Sequence, residues 1–456
     1  MRIGLNCNLY GRPMGAVWAL VAVMLSCASA ARAELTFTGS RVISVNADAS
    51  TGLERIYVVE DLSGVTVSYP SADAKWSVWG SMGAAYAEPV SVTTDSSGSH
   101  YRFPDANDFG ITVEEAGRMH HYWVVDHALH RADFSGLSVD GEESDCQSMY
   151  LSVEPLIAGK NYGISYYTIN GAPRTLDRGY TLSYNTLEYD ENANTYNFVR
   201  KEDNLDALKQ SMRVEKPLCD TQFALSGDRF DEAWGNGNHA ESAVYVTDAV
   251  EAMTYAEKEE RDNDNEQNDG TSGLGGSAPV DITFTAVVTD AVKFTEWQLS
   301  SSPDFDSYEL RFNQTEVSYT FTEYGTWYMR FQASNADGSC DYISPTYEIQ
   351  IGESRLVCPN AFSPGASEGV NDEWKVSYKS IVDFECHIFN RWGVKVATLT
   401  HPSQGWDGKY NGKLVPSGVY YYVIKARGAD GHKYDMSGDI NIIRYNQSRG
   451  GSVTNE

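Results

Sequence analysis

The chain lacks the signatures of the common catalytic and cofactor chemistries. No Gly-x-Ser-x-Gly occurs, so the strained elbow of a serine hydrolase has nowhere to form. No His-Glu-x-x-His sets two imidazoles on one helix face, and no glycine-rich loop precedes a helical pattern to cradle a phosphate. The absence of Cys-x-x-Cys removes zinc and redox readings. Carboxylates are plentiful, but no spacing singles out a glycosidase pair. Basic residues are scarce: 35 Lys and Arg stand against 63 Asp and Glu, a formal net charge of −28. So acidic a surface repels nucleic-acid phosphates and anionic membranes, and no nucleic-acid partner is expected. Beyond residue 25 no stretch approaches the ~20 apolar residues of a membrane span. The residues alone assign no catalytic group, no cofactor and no metal site.

The amino terminus has the pattern of an export signal. Arg2 and Arg12 are followed by an apolar run at 14–25 and then by Ala28-Ser29-Ala30-Ala31-Arg32-Ala33. That predicts a signal peptide over 1–33, cut after Ala33, and an exported chain with no transmembrane span after its removal. Five cysteines then remain: Cys146, Cys219, Cys340, Cys358 and Cys386. An oxidising compartment makes disulfides the default, and the odd count leaves one thiol over. The expected pairs are Cys146 with Cys219 and Cys358 with Cys386, with Cys340 free or exchanging with Cys358.

Aromatics reach 12%, with 29 Tyr and 10 Trp, enough for several small cores, and the length suggests three or four domains. Short β-branched and aromatic runs, separated by Ser, Gly, Asp and Pro clusters, predict a β-sandwich over 34–133 and a second β domain over 134–255. Asn170-Gly171 marks a hairpin turn in the second, and 202–211 is open between a short helix and a loop. His120, His121, His127 and His130 crowd around a strand end beside aromatics and are read as packing or surface residues rather than ligands. Residues 256–277 read as a flexible linker. Seven acids and two bases fall between 257 and 269, ahead of a Gly/Ser-rich stretch with nothing to bury. Over 278–353, Val280, Ile282, Phe284, Ala286 and Val288 alternate cleanly and Trp297 suits a buried second strand. The run 325–335 with Asp337-Gly338 resembles the penultimate strand of polycystic-kidney-disease-type and other immunoglobulin-like modules.

The block 355–446 differs from the rest in being nearly charge-balanced, with eleven basic and nine acidic residues. Phe384, Cys386 and Ile388 alternate with polar residues, Asn411-Gly412 and Asp430-Gly431 signal turns, and 419–424 is a strand-like run. It opens Cys358-Pro359-Asn360-Ala361-Phe362-Ser363-Pro364 and continues through Gly369-Val370-Asn371-Asp372-Glu373-Trp374, Asn390-Arg391-Trp392-Gly393, Trp406-Asp407-Gly408 and Gly418-Val419-Tyr420 to Arg444. In that order these pieces resemble the gliding-motility-associated C-terminal domain, the type B sorting domain of the type IX secretion system. The resemblance implies that Pro359, Asn360, Phe362, Asn371, Asp372, Asn390, Arg391, Trp392, Gly393, Trp406, Asp407, Gly408, Gly418, Tyr420 and Arg444 form a sorting signal, with a tail over 447–456. Where the family has an Asn-Gly-Asp-Gly turn, Gly365-Ala366-Ser367-Glu368-Gly369 stands here, so no calcium site is expected in that loop.

The expected architecture is therefore all-β, a tandem of immunoglobulin-like β-sandwich domains. The resemblance implies recognition by outer-membrane secretion machinery, reached through the periplasm. It also implies release from, or display on, a Gram-negative cell. Modular sandwiches without catalytic motifs favour a structural or adhesive, non-enzymatic protein. A glycan-binding protein or hydrolase carried by the same signal is the alternative, since sandwiches host many activities.

Overall fold

The computed structural model describes residues 34–104, 106–140, 144–267, 273–365 and 369–443. The expected signal peptide 1–33, Arg444 and the tail 447–456 lie outside the described residues. The all-β expectation holds: strand makes up 52% of the structure and helix 4%, so sheets supply the layers of each domain. No described helix is long and apolar enough to cross a membrane. The chain forms two compact units, one up to His130 together with Ser165–Arg174, the other Arg131–Ile164 and everything from Thr175 on.

The first unit is a sandwich. One sheet orders Thr36–Thr38, Thr66–Tyr69, Gly98–Arg102 and Thr93–Asp95; the other orders Val42–Asn46, Arg55–Val59, Arg118–Asp126, Phe109–Glu115, Lys75–Trp79 and Glu88–Val90. Thr66–Tyr69 shows the period of a half-buried strand, and Val67 and Tyr69 join Tyr57, Trp76, Val113 and Tyr122 in the core. Arg55–Val59 and Arg118–Asp126 run parallel, and Val58, Trp79, Trp123 and Val125 are buried as well. The Asn170-Gly171 turn is present, but its hairpin belongs to this unit and not to the second β domain. Tyr167 lies 5.5 Å from the Trp123 ring, and Ile169 bonds through its backbone to Thr51 and Ala84. A large ring such as Trp123 gains by burial, and the hairpin supplies part of its cover. Three of the four histidines are engaged separately: His120 with Glu54 at 2.7 Å, His121 with Thr112 at 2.9 Å and His130 with Asp108 at 2.6 Å.

The second unit holds three sandwiches in succession. In the first of these, Gly136–Asp140, Ser148–Glu154 and Ser211–Glu215 face a sheet of Thr195–Leu205, Tyr180–Asp190, Ala224–Gly227 and Asn238–Glu241. Residues 202–205, left open between helix and loop, complete a strand that pairs residue for residue with Tyr180–Asp190. Arg178 and Asp228 form an ion pair at 2.7 Å, both side chains fully buried.

The next sandwich starts earlier than expected. Ala252–Lys258 is its first strand and pairs with Val280–Val288, from Ala252 opposite Val288 to Lys258 opposite Ile282. Its core closes on Phe284, Trp297 and Phe331, with Trp297 fully buried. The second domain therefore ends before 252, and the described parts of 256–277 do not form the expected flexible linker; residues 268–272 lie outside the described residues. The described part of the stretch is bonded to its surroundings. Glu259 N donates to Asp281 O at 2.9 Å, and Arg261 binds Ser277 O at 2.7 Å and Glu266 at 2.9 Å. The linker reading counted apolar side chains, whereas this segment is held by backbone and amide hydrogen bonds.

The disulfide also differs from expectation. Cys146 bonds Cys340, joining the two sandwiches across 194 residues, with Cα atoms 5.5 Å apart. Cys219 is a buried free thiol, and Cys358 and Cys386 are free as well, so both expected pairs fail. Pairing needs the two Cα atoms within roughly 4.4–6.8 Å. Docking of the two sandwiches meets that condition between the turn before Ser148 and the turn after Asn335, a contact that spacing along the chain does not encode.

Candidate functional site

The C-terminal module, the last sandwich of the second unit, carries the motif residues. Its main sheet orders Ala361–Phe362, Lys433–Ile442, Gly418–Gly428, Ile381–Phe389 and Lys395–Leu399; Arg355–Val357 pairs with Ser377–Lys379 beside it. Gly418–Gly428 alternates strictly from Tyr420 on: Tyr420, Tyr422, Ile424 and Ala426 point inward, Val419, Tyr421 and Val423 outward.

Most of the motif builds the interior. Trp374 is fully buried; its indole donates to Pro359 O at 2.7 Å, and its backbone exchanges two bonds with Trp406 at 2.9 and 3.0 Å. Trp406 packs 5.5 Å from Phe362 and 5.2 Å from Tyr420, and its indole donates to Lys409 O at 3.0 Å. Asn360 O accepts from the Asn441 amide at 2.9 Å, seating the short parallel strand Ala361–Phe362. Gly408 has φ 72°, and a Cβ there would press Pro364 at 3.0 Å, which is why glycine follows Asp407. Asp407 accepts from Lys409 N at 3.0 Å and closes the same turn.

Asp372 holds the two described ends of the opening loop through its carboxylate. One carboxylate oxygen accepts from Gly365 N at 2.9 Å and the other from Gly369 N at 2.7 Å, while Asn371 takes φ 52°. Both oxygens are thus committed to backbone amides. The expected absence of a calcium site concerns residues 366–368, which lie outside the described residues.

The turn Asn390-Arg391-Trp392-Gly393 is built differently. Asn390 Oδ1 accepts from Trp392 N and Val394 N, each at 3.0 Å, and Gly393 takes φ 79°. The Arg391 guanidinium lies 4.2 Å from the Trp392 ring centroid, yet Trp392 is 72% exposed. Register puts this turn, Gly418, Phe362 and Ile443 at one end of the sheet. Trp392, Val394, Val419, Tyr421 and Ile443 are exposed there, an apolar group that the interior does not use. Tyr421 was not singled out by the motif; no local signal tells which parity of an apolar strand faces solvent.

Two cysteines complete the interior. Cys386 is fully buried, and burial pushes its thiol up to about 12; burial raises Cys358 as well. Tyr422 is likewise pushed up to about 12, by burial and then by Cys358.

A family model described as the CHU_C type IX secretion signal domain matches residues 356–442. The chain therefore carries a type IX secretion signal domain at its C-terminal end. A second model, a fibronectin type III domain, matches residues 138–242, the first sandwich of the second unit. No curated protein matches the chain. Among solved structures, a tetra-tandem repeat from the extending region of a large adhesion protein is 13% identical, covering 84% of this chain and 96% of its own at a TM-score of 0.21. The chicken CNTN1 FN1–FN3 domains are 13% identical, covering 68% of this chain and 99% of their own at 0.22. Dimeric latent PorU from Porphyromonas gingivalis is 11% identical, covering 72% of this chain and 35% of its own at 0.15. Superpositions this loose carry nothing further.

Proposed function

We propose that this chain is cargo of the type IX secretion route, exported through its C-terminal module to serve a structural or adhesive role outside a Gram-negative cell. A signal peptide delivers it to the periplasm, and outer-membrane machinery then reads the folded module. The observation that carries the reading is the match of residues 356–442 to a secretion signal domain. The upstream sandwiches, one matching a fibronectin type III domain, supply length and surface rather than a catalytic centre.

Because most of the motif is consumed in folding, recognition falls to what stays outside. The Arg391–Trp392 turn and the adjoining Val419, Tyr421 and Ile443 are the surface offered. Exposed Trp, Tyr and Arg on a fixed backbone are the residue types that dominate interface energetics.

Deleting 355–456 tests the reading. The truncated chain should accumulate in the periplasm, and the same segment fused to an exported reporter should carry that reporter to the surface or medium. Normal surface delivery of the truncated chain overturns the assignment. Trp392→Ala should lower export while leaving the melting temperature within a degree or two, since surface changes rarely move stability by more than ~0.5 kcal/mol.

A further inference from the structure

In the sandwich that begins at Ala252, the strands Phe294–Ser300, Gly325–Ser334 and Asp341–Ile343 lie side by side in one sheet. Their register sets two rows of side chains. Phe294 stands opposite Ser334 and Ser334 opposite Asp341; in the next row Glu296 stands opposite Gln332 and Gln332 opposite Ile343. Trp297, Phe331 and Ala333, which alternate with these residues, go to the core, so both rows face away from it. A shallow hollow of about 480 Å³ lies over this face, with Phe294, Glu296, Asn313, Gln332 and Ile343 in its lining. That volume is within the roughly 300–1,000 Å³ of small-ligand sites.

The polar row is held in place by one buried amide. Gln298 is 5% exposed, and its side-chain oxygen accepts from Arg330 Nε at 2.9 Å. Its nitrogen donates to Glu296 Oε1 at 2.5 Å and to Gln332 Oε1 at 3.2 Å. Gln298 thus orients a carboxylate and a carboxamide together. The Gln332 amide nitrogen and the Asn313 side chain are left without a partner among the described residues. The edge strand is tied at both ends. Cys340 precedes it in the disulfide, and Ser344 follows it with two bonds to the Phe331 backbone, each at 2.9 Å.

An apolar surface adjoins the polar row, and the core does not use it. Phe294 is 62% exposed and Ile343 is 52% exposed. Covering them is favourable for any ligand that brings an apolar face.

Charge narrows the ligand further. Lys293 and Asp341 line the hollow with opposite signs, and Glu296 is paired with Arg311 at 3.5 Å. Two cations and two anions balance, so the face complements a neutral molecule better than an ion. A purely aliphatic ligand would leave the Gln332 and Asn313 amides unpaired beneath it. A pyranose supplies both halves: a face of C–H bonds for the ring, and a rim of hydroxyls that each donate and accept. We propose that this face binds a neutral pyranose glycan, stacked on Phe294 with its hydroxyls reaching Glu296, Gln332 and Asn313. The inference rests on the adhesive part of the proposed function, to which it gives a ligand class, and is independent of the export part.

Purified full-length chain is the material for the test, so failed delivery and a failed ligand are read apart. Retention is measured on an array of neutral and anionic glycans, and the best-retained neutral glycan is then titrated by calorimetry. The expected result is saturable binding of a neutral pyranose glycan, weakened about tenfold by Phe294→Ala and by Gln332→Ala with unchanged melting. Phe198→Ala, which removes a ring 73% exposed on the fibronectin-type sandwich, should bind like the parent. Sorbitol, an open-chain polyol without the flat C–H face, should not displace the glycan at millimolar excess. The proposal is overturned if no neutral glycan is retained, if retention is confined to anionic glycans, or if sorbitol displaces the glycan. It is equally overturned if Phe294→Ala binds like the parent, or if Phe198→Ala loses as much, which would mark adsorption to exposed rings in general.

Discussion

Asn265 and Tyr378 face each other across what composition marks as a linker: Tyr378 N donates to Asn265 O at 3.1 Å, and Tyr378 O accepts from Gln267 N at 2.7 Å. The Asn265 side-chain amide donates in turn to Val376 O at 2.7 Å and Pro402 O at 2.8 Å. The described part of the acidic stretch is thus a strap laid along the C-terminal module. Asn265→Ala should remove both side-chain bonds and destabilise the docked module by about 1–3 kcal/mol. Hydrogen exchange at Gln267 and Tyr378 reads the same contact. Amides there that exchange as fast as free peptide in the parent chain would show that the strap is open in solution.

Cys340→Ser should cost about 2–4 kcal/mol by releasing the link to Cys146, and should leave Cys146 open to alkylation. Cys219→Ser should leave the disulfide intact. Peptide mapping without reductant checks both. A Cys146–Cys219 peptide in the parent chain would contradict the structure.

The Cys386 thiol, buried and pushed up to about 12, should be inert to iodoacetamide at pH 8 in the folded protein. It should label at an ordinary rate in guanidinium. Rapid native labelling would mean that the module opens more readily than its core suggests.

Glu251 gives a pH dependence. Its carboxyl is raised above the ordinary 4.5 in the folded chain, so the native state binds this proton more tightly than the unfolded one. This contribution is most favourable below 4.5 and is lost as pH climbs through the raised folded value. Glu251→Gln, which cannot ionise, should therefore melt higher than the parent at neutral pH and no higher at pH 4. Parallel melting curves across pH would show that the carboxylate is better solvated than its burial indicates.

Strand identity was legible wherever side chains alternate, as at Val280–Val288 and Ile381–Phe389, because period two is a local property. Turn chemistry was legible for the same reason: Asn411 and Gly412 take φ 52° and 77° between two short strands. Destination was not. The Asn170-Gly171 hairpin forms as expected but joins the first unit, and Cys146 meets a cysteine 194 residues away. Val419 and Tyr420 are equally apolar by sequence, and only the packing of the sheet decides that Tyr420 faces Trp406. The strap is not legible in composition because its contacts use amides and carboxylates, which composition counts as solvated.

The strap also separates cleavage of the chain from release of the module. A peptidase cutting near Glu353 would sever the chain, yet Asn265, Glu266 and Gln267 would still grip Tyr378, and Ser277 would still accept from Ser380 N at 2.8 Å. The processed module would stay behind as a noncovalent subunit. Its departure would then be governed by an off-rate that acid, salt or a competing partner can tune.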